Sequence, residues 1–139
     1  MVLFIDTNII LDWLQNREPF NETSGHLVQE CIKENFDGAM SAHSFADLFY
    51  ILRKDFSAEE RFKLLLLLCK HFKVVSENKL MIEFVINYEK YKDLEDGLQM
   101  ECAKAVNADF IITRNINDFK ISKVPAILPE DFIKDHCAE

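Results

Sequence analysis

Short apolar runs alternate with longer amphipathic stretches along the chain. The run at residues 2–5 is apolar at every position, which is typical of a central parallel strand that is covered on both faces. The same reasoning predicts further short strands at residues 39–40, 72–75, 110–113 and 126–128. Helical spacing of apolar residues predicts helices at residues 7–14, 19–34, 41–52, 57–70, 76–88 and 93–106, and a terminal helical turn after Pro129.

Capping and turn residues mark several of these boundaries. Ser57 and Glu60 have capping-box spacing, and the helix that they begin offers five residues for burial: Phe62, Leu65, Leu66, Leu68 and Cys69. The remaining predicted signals are Thr7 or Asn8 as the first cap, Pro19 in a first turn, Asp37-Gly38 as a turn, and Ser41 or Ser44 as a cap.

The alternation of strands and helices predicts an α/β fold. We expect a three-layer α/β/α sandwich with a central, mostly parallel sheet of about five short strands. The chain has only three glycines and three prolines, and no linker or internal repeat is visible. We therefore expect a single domain over residues 1–139.

Composition limits the possible environments and partners. The 24 acidic and 16 basic residues give a net charge of −8, which opposes nonspecific binding to nucleic acid unless basic residues cluster on one face. The four cysteines have no metal-ligand spacing, and no apolar run approaches the ~20 residues of a spanning helix. We expect a soluble, cytoplasmic protein without a membrane partner. The candidates for a basic cluster are Arg17, Arg53, Lys54, Lys90, Lys92 and Arg114.

Four acidic residues occupy positions that an α/β fold gathers at one edge of its sheet. Asp6 follows the first strand, Asp47 lies inside an apolar helix, Asp96 begins a later helix, and Asp118 follows a strand. Open α/β sheets bind ligands beyond the carboxyl ends of their parallel strands. Carboxylates that crowd there repel one another unless a cation neutralises them, so the pattern predicts a divalent-metal site.

Four segments in this order resemble the motifs of a PIN domain: residues 4–12 (FIDTNIILD), 41–48 (SAHSFADL), 93–99 (DLEDGLQ) and 111–119 (IITRNINDF). The resemblance covers nearly the whole chain and is to the bacterial single-domain type that includes VapC-like toxins. It implies an endoribonuclease that uses Mg²⁺ or Mn²⁺ to hydrolyse RNA phosphodiester bonds. It also implies the toxin role in a type II toxin–antitoxin pair, a small antitoxin as partner, and a homodimer.

The resemblance assigns catalytic and metal-binding roles to Asp6, Asp47, Asp96 and Asp118. Asp6 alternatively serves as a helix cap. PIN domains usually have Glu at the position of Asp47, so direct coordination and action through a water molecule both stay open. Asp93 is either a further metal ligand or the cap of the helix that carries Asp96, and we expect Glu95 to be solvated.

The fourth acidic position is open. Family members have an acid two residues after the threonine, where this chain has Asn115, so either Asp118 reaches the metal or Asn115 and Thr113 hold a water molecule. Asn8, Thr113, Asn115 and Arg114 are candidates for positioning substrate or water. Arg114 binds a phosphate or pairs with one of the four acids.

Two other functions remain open. A catalytically degenerate PIN module would bind RNA or a protein without cleavage, which would fit the residues at positions 47 and 115 and the net acidity. A phosphatase with Asp6 as its nucleophile is disfavoured, because such enzymes place a second acid two residues further on and this chain has Asn8 there.

Overall fold

The computed structural model describes residues 1–137 and contains one five-stranded sheet in the order β3-β2-β1-β4-β5. All four pairs of adjacent strands are parallel. The prediction of a mostly parallel sheet is therefore confirmed, and the sheet is parallel throughout. The strands are β1 (Val2–Ile5), β2 (Asp37–Ser41), β3 (Lys73–Val75), β4 (Phe110–Ile112) and β5 (Ala126–Ile127). The predicted domain includes residues 138–139, which lie outside the described part.

Helices cover both faces of this sheet. Leu3 and Ile5 point into one apolar core and Phe4 into the other, as the alternation of a central strand requires. The first core is larger and packs against α1, α2, α3, α4 and α7, whereas α5 and α6 cover the second. The helices are α1 (Thr7–Leu14), α2 (Asn21–Ile32), α3 (Ala42–Ile51), α4 (Ala58–His71), α5 (Lys79–Asn87), α6 (Leu94–Ala105) and α7 (Pro129–His136). The three-layer sandwich is therefore confirmed.

The strand order places a ligand-binding crevice beside β1. Chain order runs from β1 outward to β3 on one side, and then resumes with β4 on the other side of β1. Such a switch in direction leaves a crevice beyond the carboxyl ends of the two central strands. Asp6 follows β1 and Thr113 follows β4, and the backbone N–H of Asp6 donates to the carbonyl of Ile112 at 3.0 Å. Both side chains are thereby fixed at the crevice.

The predicted turn at Asp37-Gly38 is wrong, because both residues belong to β2 and pair with Val2 and Leu3. A Cβ atom on Gly38 would lie 2.6 Å from Cε2 of Phe72, so close packing explains this glycine. The preceding reversal contains Glu34, whose φ of 62° lies in the left-handed region.

Several helix starts differ from the prediction. The cap position of α1 is occupied by Asp6, the alternative to Thr7 or Asn8, and α5 begins three residues later than predicted with Asn78 as its cap. The helix α2 begins two residues after Pro19. Ser41 is the cap residue of α3, but its hydroxyl hydrogen-bonds the hydroxyl of Ser44 at 2.7 Å. The capping box at Ser57 is confirmed in both directions.

The apolar residues of α4 are only partly buried. Leu68 is buried and Leu65 packs at the edge of the larger core, but Phe62 is 65% exposed and Leu66 57% exposed. Cys69 is also exposed. The expected burial of these three residues is wrong, because the face of α4 that carries them points away from the sheet. None of the helices within residues 1–137 has the length and apolarity to cross a membrane.

Candidate active site

Asp6 is held at the crevice by two buried side chains. Thr113 donates its hydroxyl hydrogen to Oδ2 of Asp6 at 2.8 Å, and the amide of Gln99 donates to Oδ1 at 3.3 Å. Asp6 takes the cap position of α1, but its side chain makes no capping hydrogen bond. Burial raises the pKa of Asp6, and the hydrogen bonds from Thr113 and Gln99 only partly offset that effect. These two hydrogen bonds fix the orientation of the Asp6 carboxylate.

Thr113 uses its hydroxyl group within the protein. Besides donating to Asp6, this oxygen accepts the backbone N–H of Asn115 at 3.0 Å. Asn115 itself is exposed and begins the 3₁₀ turn Ile116–Phe119, which carries Asp118. Thr113 therefore positions the carboxylate of Asp6 and the loop that follows β4.

Asp93, Asp96 and Asp118 line one cleft of about 300 Å³. Asp93 caps α6, since its Oδ1 accepts the backbone N–H of Asp96 at 2.9 Å. Partial burial, and then the charges of Asp93, Asp118 and Asp6, raise the pKa of Asp96 to about 6. Asp118 is therefore close enough to Asp96 to influence its ionisation, although it follows the threonine by five residues.

Basic side chains border the same cleft. Lys90, Lys92 and Lys120 are among its lining residues. Two of them were predicted candidates for a basic cluster, and Lys120 was not. A chain with a net charge of −8 thus places lysines beside its acidic crevice, where they can contact a polyanion.

Asp47 belongs to a second group of side chains on the crevice. One ligand atom each from His43, Asp47 and Glu95 lies within 4.8 Å of the other two. Burial is the main cause that raises the pKa of Glu95 to about 7, and the contact of Glu95 with Asp47 is the second cause. Glu95 is 58% exposed, which agrees with the expectation that it is solvated, and its carboxylate also lies 3.7 Å from Nε2 of His43 on α3.

A buried chain of hydroxyl groups connects the starts of α1 and α3. The hydroxyl of Ser44 lies 2.7 Å from the hydroxyl of Thr7 and 2.7 Å from that of Ser41. This chain joins the start of α1, which follows Asp6, to the start of α3, which carries Asp47.

Arg114 does not pair with any of the four predicted acids. Its Nε donates to Oδ2 of Asp12 at 2.8 Å and a terminal nitrogen donates to Oδ1 at 2.9 Å, while its guanidinium lies 4.0 Å from the ring centre of Phe20. Arg17 approaches the same Asp12 carboxylate at 3.9 Å. Arg114 was a candidate for binding phosphate or substrate and Arg17 for a basic cluster, and the structure directs both to a fully buried acid instead.

The other predicted residues lie at more peripheral places. Asn8 is half-buried in the first turn of α1. Arg53 donates to the carbonyl of Tyr50 and stacks on its ring at 3.8 Å. The two contacts of Arg53 bring no second functional group to the crevice.

Sequence reasoning missed Gln99, Glu77 and Asp12 as parts of this region. Gln99 follows Asp96 by three residues and therefore lies on the same side of α6, which was a usable signal. Asp12 stands among apolar residues of α1, a pattern that indicates a buried acid with a partner. Glu77 precedes α5 and carried no recognisable signal.

The residues present suit a divalent cation. Carboxylate oxygens crowd the crevice, and the pKa values of Asp6, Asp96 and Glu95 are all raised, so a cation would relieve an unfavourable arrangement. Beside Asp6, the buried Oε1 of Gln99 has no hydrogen-bond partner among the described residues. Mg²⁺ and Mn²⁺ prefer such oxygen ligands.

Comparison with known proteins agrees with the fold. A family model described as PIN domain matches residues 2–117. Three solved structures have a similar fold: a toxin–antitoxin complex from Klebsiella pneumoniae (TM-score 0.67, 22% identity, 93% of this chain and 98% of that chain covered), FitAcB from Neisseria gonorrhoeae (0.66, 22%, 94% and 99%) and VapBC-1 from nontypeable Haemophilus influenzae (0.65, 22%, 94% and 99%). No curated protein matches the chain.

Proposed function

The chain belongs to the PIN-domain family, and we propose that it is a metal-dependent endoribonuclease that serves as the toxin of a type II toxin–antitoxin pair. The observation that supports this proposal is the proximity of acidic residues: Asp96 and Asp118 line one cleft, and the charges of Asp118 and Asp6 both raise the pKa of Asp96. Carboxylates in such numbers at the switch point of a parallel sheet are suited to phosphodiester hydrolysis.

Asp6 and Asp96 would hold the principal Mg²⁺ or Mn²⁺ ion. When bound, the ion supplies electrophilic stabilisation of the charge that develops on the phosphate. Thr113 and Gln99 keep the Asp6 carboxylate in one orientation. Asp118 would hold a second ion or position the attacking water, and Asp47 would orient that water or accept its proton. Asp93 remains the cap of α6 and contributes negative charge.

The proposed substrate is single-stranded or looped RNA, cut to leave a 5′-phosphate and a 3′-hydroxyl. Lys90, Lys92 and Lys120 border the cleft and are placed to contact the backbone phosphates on either side of the scissile bond. Asn8 and Asn115 are proposed as further residues that contact substrate or water. Arg114 is left out of this group, because its guanidinium is bound to Asp12.

The proposed partners are a small antitoxin and a second copy of the chain, in the cytoplasm. Support comes from the Klebsiella pneumoniae structure, which is a toxin–antitoxin complex, and from apolar side chains that α4 and α5 expose. These include Phe62 and Leu66 on α4, and Leu80 and Ile86 on α5. Light scattering of the purified chain, alone and with the product of an adjacent reading frame, tests both partners.

Cleavage of a mixed-sequence single-stranded RNA tests the activity. We expect purified protein to cut with Mn²⁺ or Mg²⁺, to stop with EDTA, and to lose activity by about a hundredfold or more in Asp6→Asn, because a principal ligand is removed. The matched control is Asp135→Asn, an exposed acid in the last turn of α7, which should cut normally. Cleavage that persists in Asp6→Asn would disprove the proposed site.

The second candidate is a PIN module that binds RNA or a protein without cutting. It is favoured by Asp47, which is shorter than the usual Glu and lies 4.0 Å from His43. This function predicts RNA binding by filter retention with no product in any of the metal conditions above.

A further inference from the structure

His43 is held with one ring nitrogen facing two carboxylates. Glu77 fixes the other side of the ring: its Oε2 lies 2.5 Å from Nδ1 of His43, and its Oε1 accepts the backbone N–H of His43 at 2.8 Å. Glu77 thereby sets both the start of α3 and the orientation of the imidazole. The Nε2 atom is directed away from Glu77 and is buried, with no hydrogen-bond partner within residues 1–137.

The two carboxylates that face Nε2 stand too far away to hydrogen-bond it. Oε2 of Glu95 is 3.7 Å from Nε2, and Oδ2 of Asp47 is 4.0 Å from it. Ligand atoms around a tetrahedral ion with bonds of 2.0–2.1 Å stand about 3.4 Å apart, so the observed gaps fit a shared ion better than a direct hydrogen bond.

The contact between Glu77 and His43 resembles the carboxylate contact of metal-binding histidines. Such a histidine usually donates its second ring N–H to a carboxylate, which fixes the tautomer and leaves the other nitrogen free to bind metal. From this arrangement we propose that His43 Nε2, Asp47 and Glu95 form a binding site for a transition-metal ion, distinct from the oxygen-ligand site at Asp6 and Asp96.

The ligand chemistry decides which ions this site accepts. Imidazole nitrogen suits Zn²⁺, Co²⁺, Ni²⁺ and Cu²⁺, and to a smaller degree Mn²⁺, whereas Mg²⁺ prefers oxygen alone. The site therefore binds a transition metal in the presence of excess Mg²⁺. An ion at this site would lie next to the carboxylates proposed for RNA cleavage, because Asp47 belongs to both groups. A role of this ion in cleavage rests on the proposed function, whereas the binding of the ion does not.

Visible absorption of Co²⁺ tests the site without reference to cleavage. Metal-free wild-type protein titrated with CoCl₂ should show a saturable d–d spectrum that excess MgCl₂ leaves in place. His43→Gln should bind Co²⁺ in that medium at least about tenfold more weakly, and Glu77→Gln should weaken binding by about 10- to 100-fold through loss of ring orientation. Glu95→Gln, at an exposed position, gives a variant whose folding is the least affected of the three.

The matched control is His26→Gln, since His26 is exposed on α2 and should leave the titration unchanged. Equal Co²⁺ affinity and spectra in wild type, His43→Gln and Glu95→Gln would overturn the proposal, as would displacement of Co²⁺ from wild type by Mg²⁺.

The Asp6→Asn variant separates the metal-site proposal from the nuclease proposal, because it should lose cleavage and keep the Co²⁺ spectrum. A wild type that shows the His43-dependent spectrum but cuts no RNA supports this site and rejects the nuclease.

Discussion

Arg114 donates two hydrogen bonds to the fully buried carboxylate of Asp12, from positions that are 102 residues apart in the chain. Ser24 on α2 donates to the same carboxylate at 3.0 Å. The pair therefore ties the loop after β4 to α1 and α2. Because this loop begins at Thr113, which holds Asp6, the Asp12–Arg114 pair supports the geometry of the crevice from outside it.

Replacement of Arg114 by Gln should lower the free energy of unfolding by about 3 kcal/mol, because it leaves the buried charge of Asp12 without its two-point partner. Urea unfolding followed by circular dichroism measures this loss. Arg53→Gln is the control, since Arg53 stacks on exposed Tyr50 and should change stability by less than about 1 kcal/mol. A stable Arg114→Gln protein that fails to bind RNA would show instead that Arg114 contacts substrate.

Gln99→Leu should weaken the binding of Mg²⁺ by about tenfold or more, because Asp6 loses the amide that orients its Oδ1. Stability should change by less than about 1 kcal/mol, since the substitution removes one hydrogen bond and also an unsatisfied buried oxygen. Calorimetric Mg²⁺ titration and urea unfolding measure the two effects. Gln29→Leu, at an exposed position of α2, is the control, and equal affinity in both variants would argue against this role of Gln99.

The metal-free protein should lose stability as pH rises from about 4 to about 7. The folded-state pKa of Asp96 is raised from 3.8 to about 6, and that of Glu95 from 4.5 to about 7. The folded protein therefore holds protons that the unfolded chain releases, and this contribution is complete below the unfolded pKa and lost as pH rises through the folded pKa. Thermal unfolding in EDTA across this range measures the effect.

Addition of Mn²⁺ at pH 7 should restore the melting temperature, because the ion binds the ionised carboxylates of the folded state. Asp96→Asn should flatten the pH dependence in EDTA, whereas Asp135→Asn should leave it unchanged. A melting temperature that rises between pH 4 and pH 7 without metal would contradict the crowding of these acids.

Gly97→Ala should lower the free energy of unfolding by about 1–3 kcal/mol. A Cβ atom at this position would lie 2.6 Å from Cγ1 of Val85 and 3.2 Å from Cδ2 of Tyr91, and so would separate α5 from α6. The gain in helix propensity, about 1 kcal/mol, only partly offsets this strain. In a double-mutant cycle with Val85→Ala, the combined loss should be smaller than the sum of the single losses. Additive losses would show that Val85 is not the obstacle.

The sequence alone determined the layer order of the fold and the sheet edge that carries the acids. The apolar run at Val2–Ile5 and the capping box at Ser57 were correctly identified because both are set by contacts within a few residues. The wrong assignment of a turn at Gly38 has a tertiary origin. A local rule predicts a turn at Gly38, but this residue packs against Phe72, which is distant in sequence. Glu95 is exposed as expected, and only the tertiary structure brings it close to His43.

Only the tertiary structure decided which polar groups pair. The contacts of Asp6 with Gln99 and of His43 with Glu77 join residues that are 93 and 34 positions apart. Such pairs depend on the strand order β3-β2-β1-β4-β5, and periodicity fixes that a segment is a strand without fixing which strand lies beside it. The acids could therefore be found in the sequence, whereas the partners that orient them come from burial and the order of the strands.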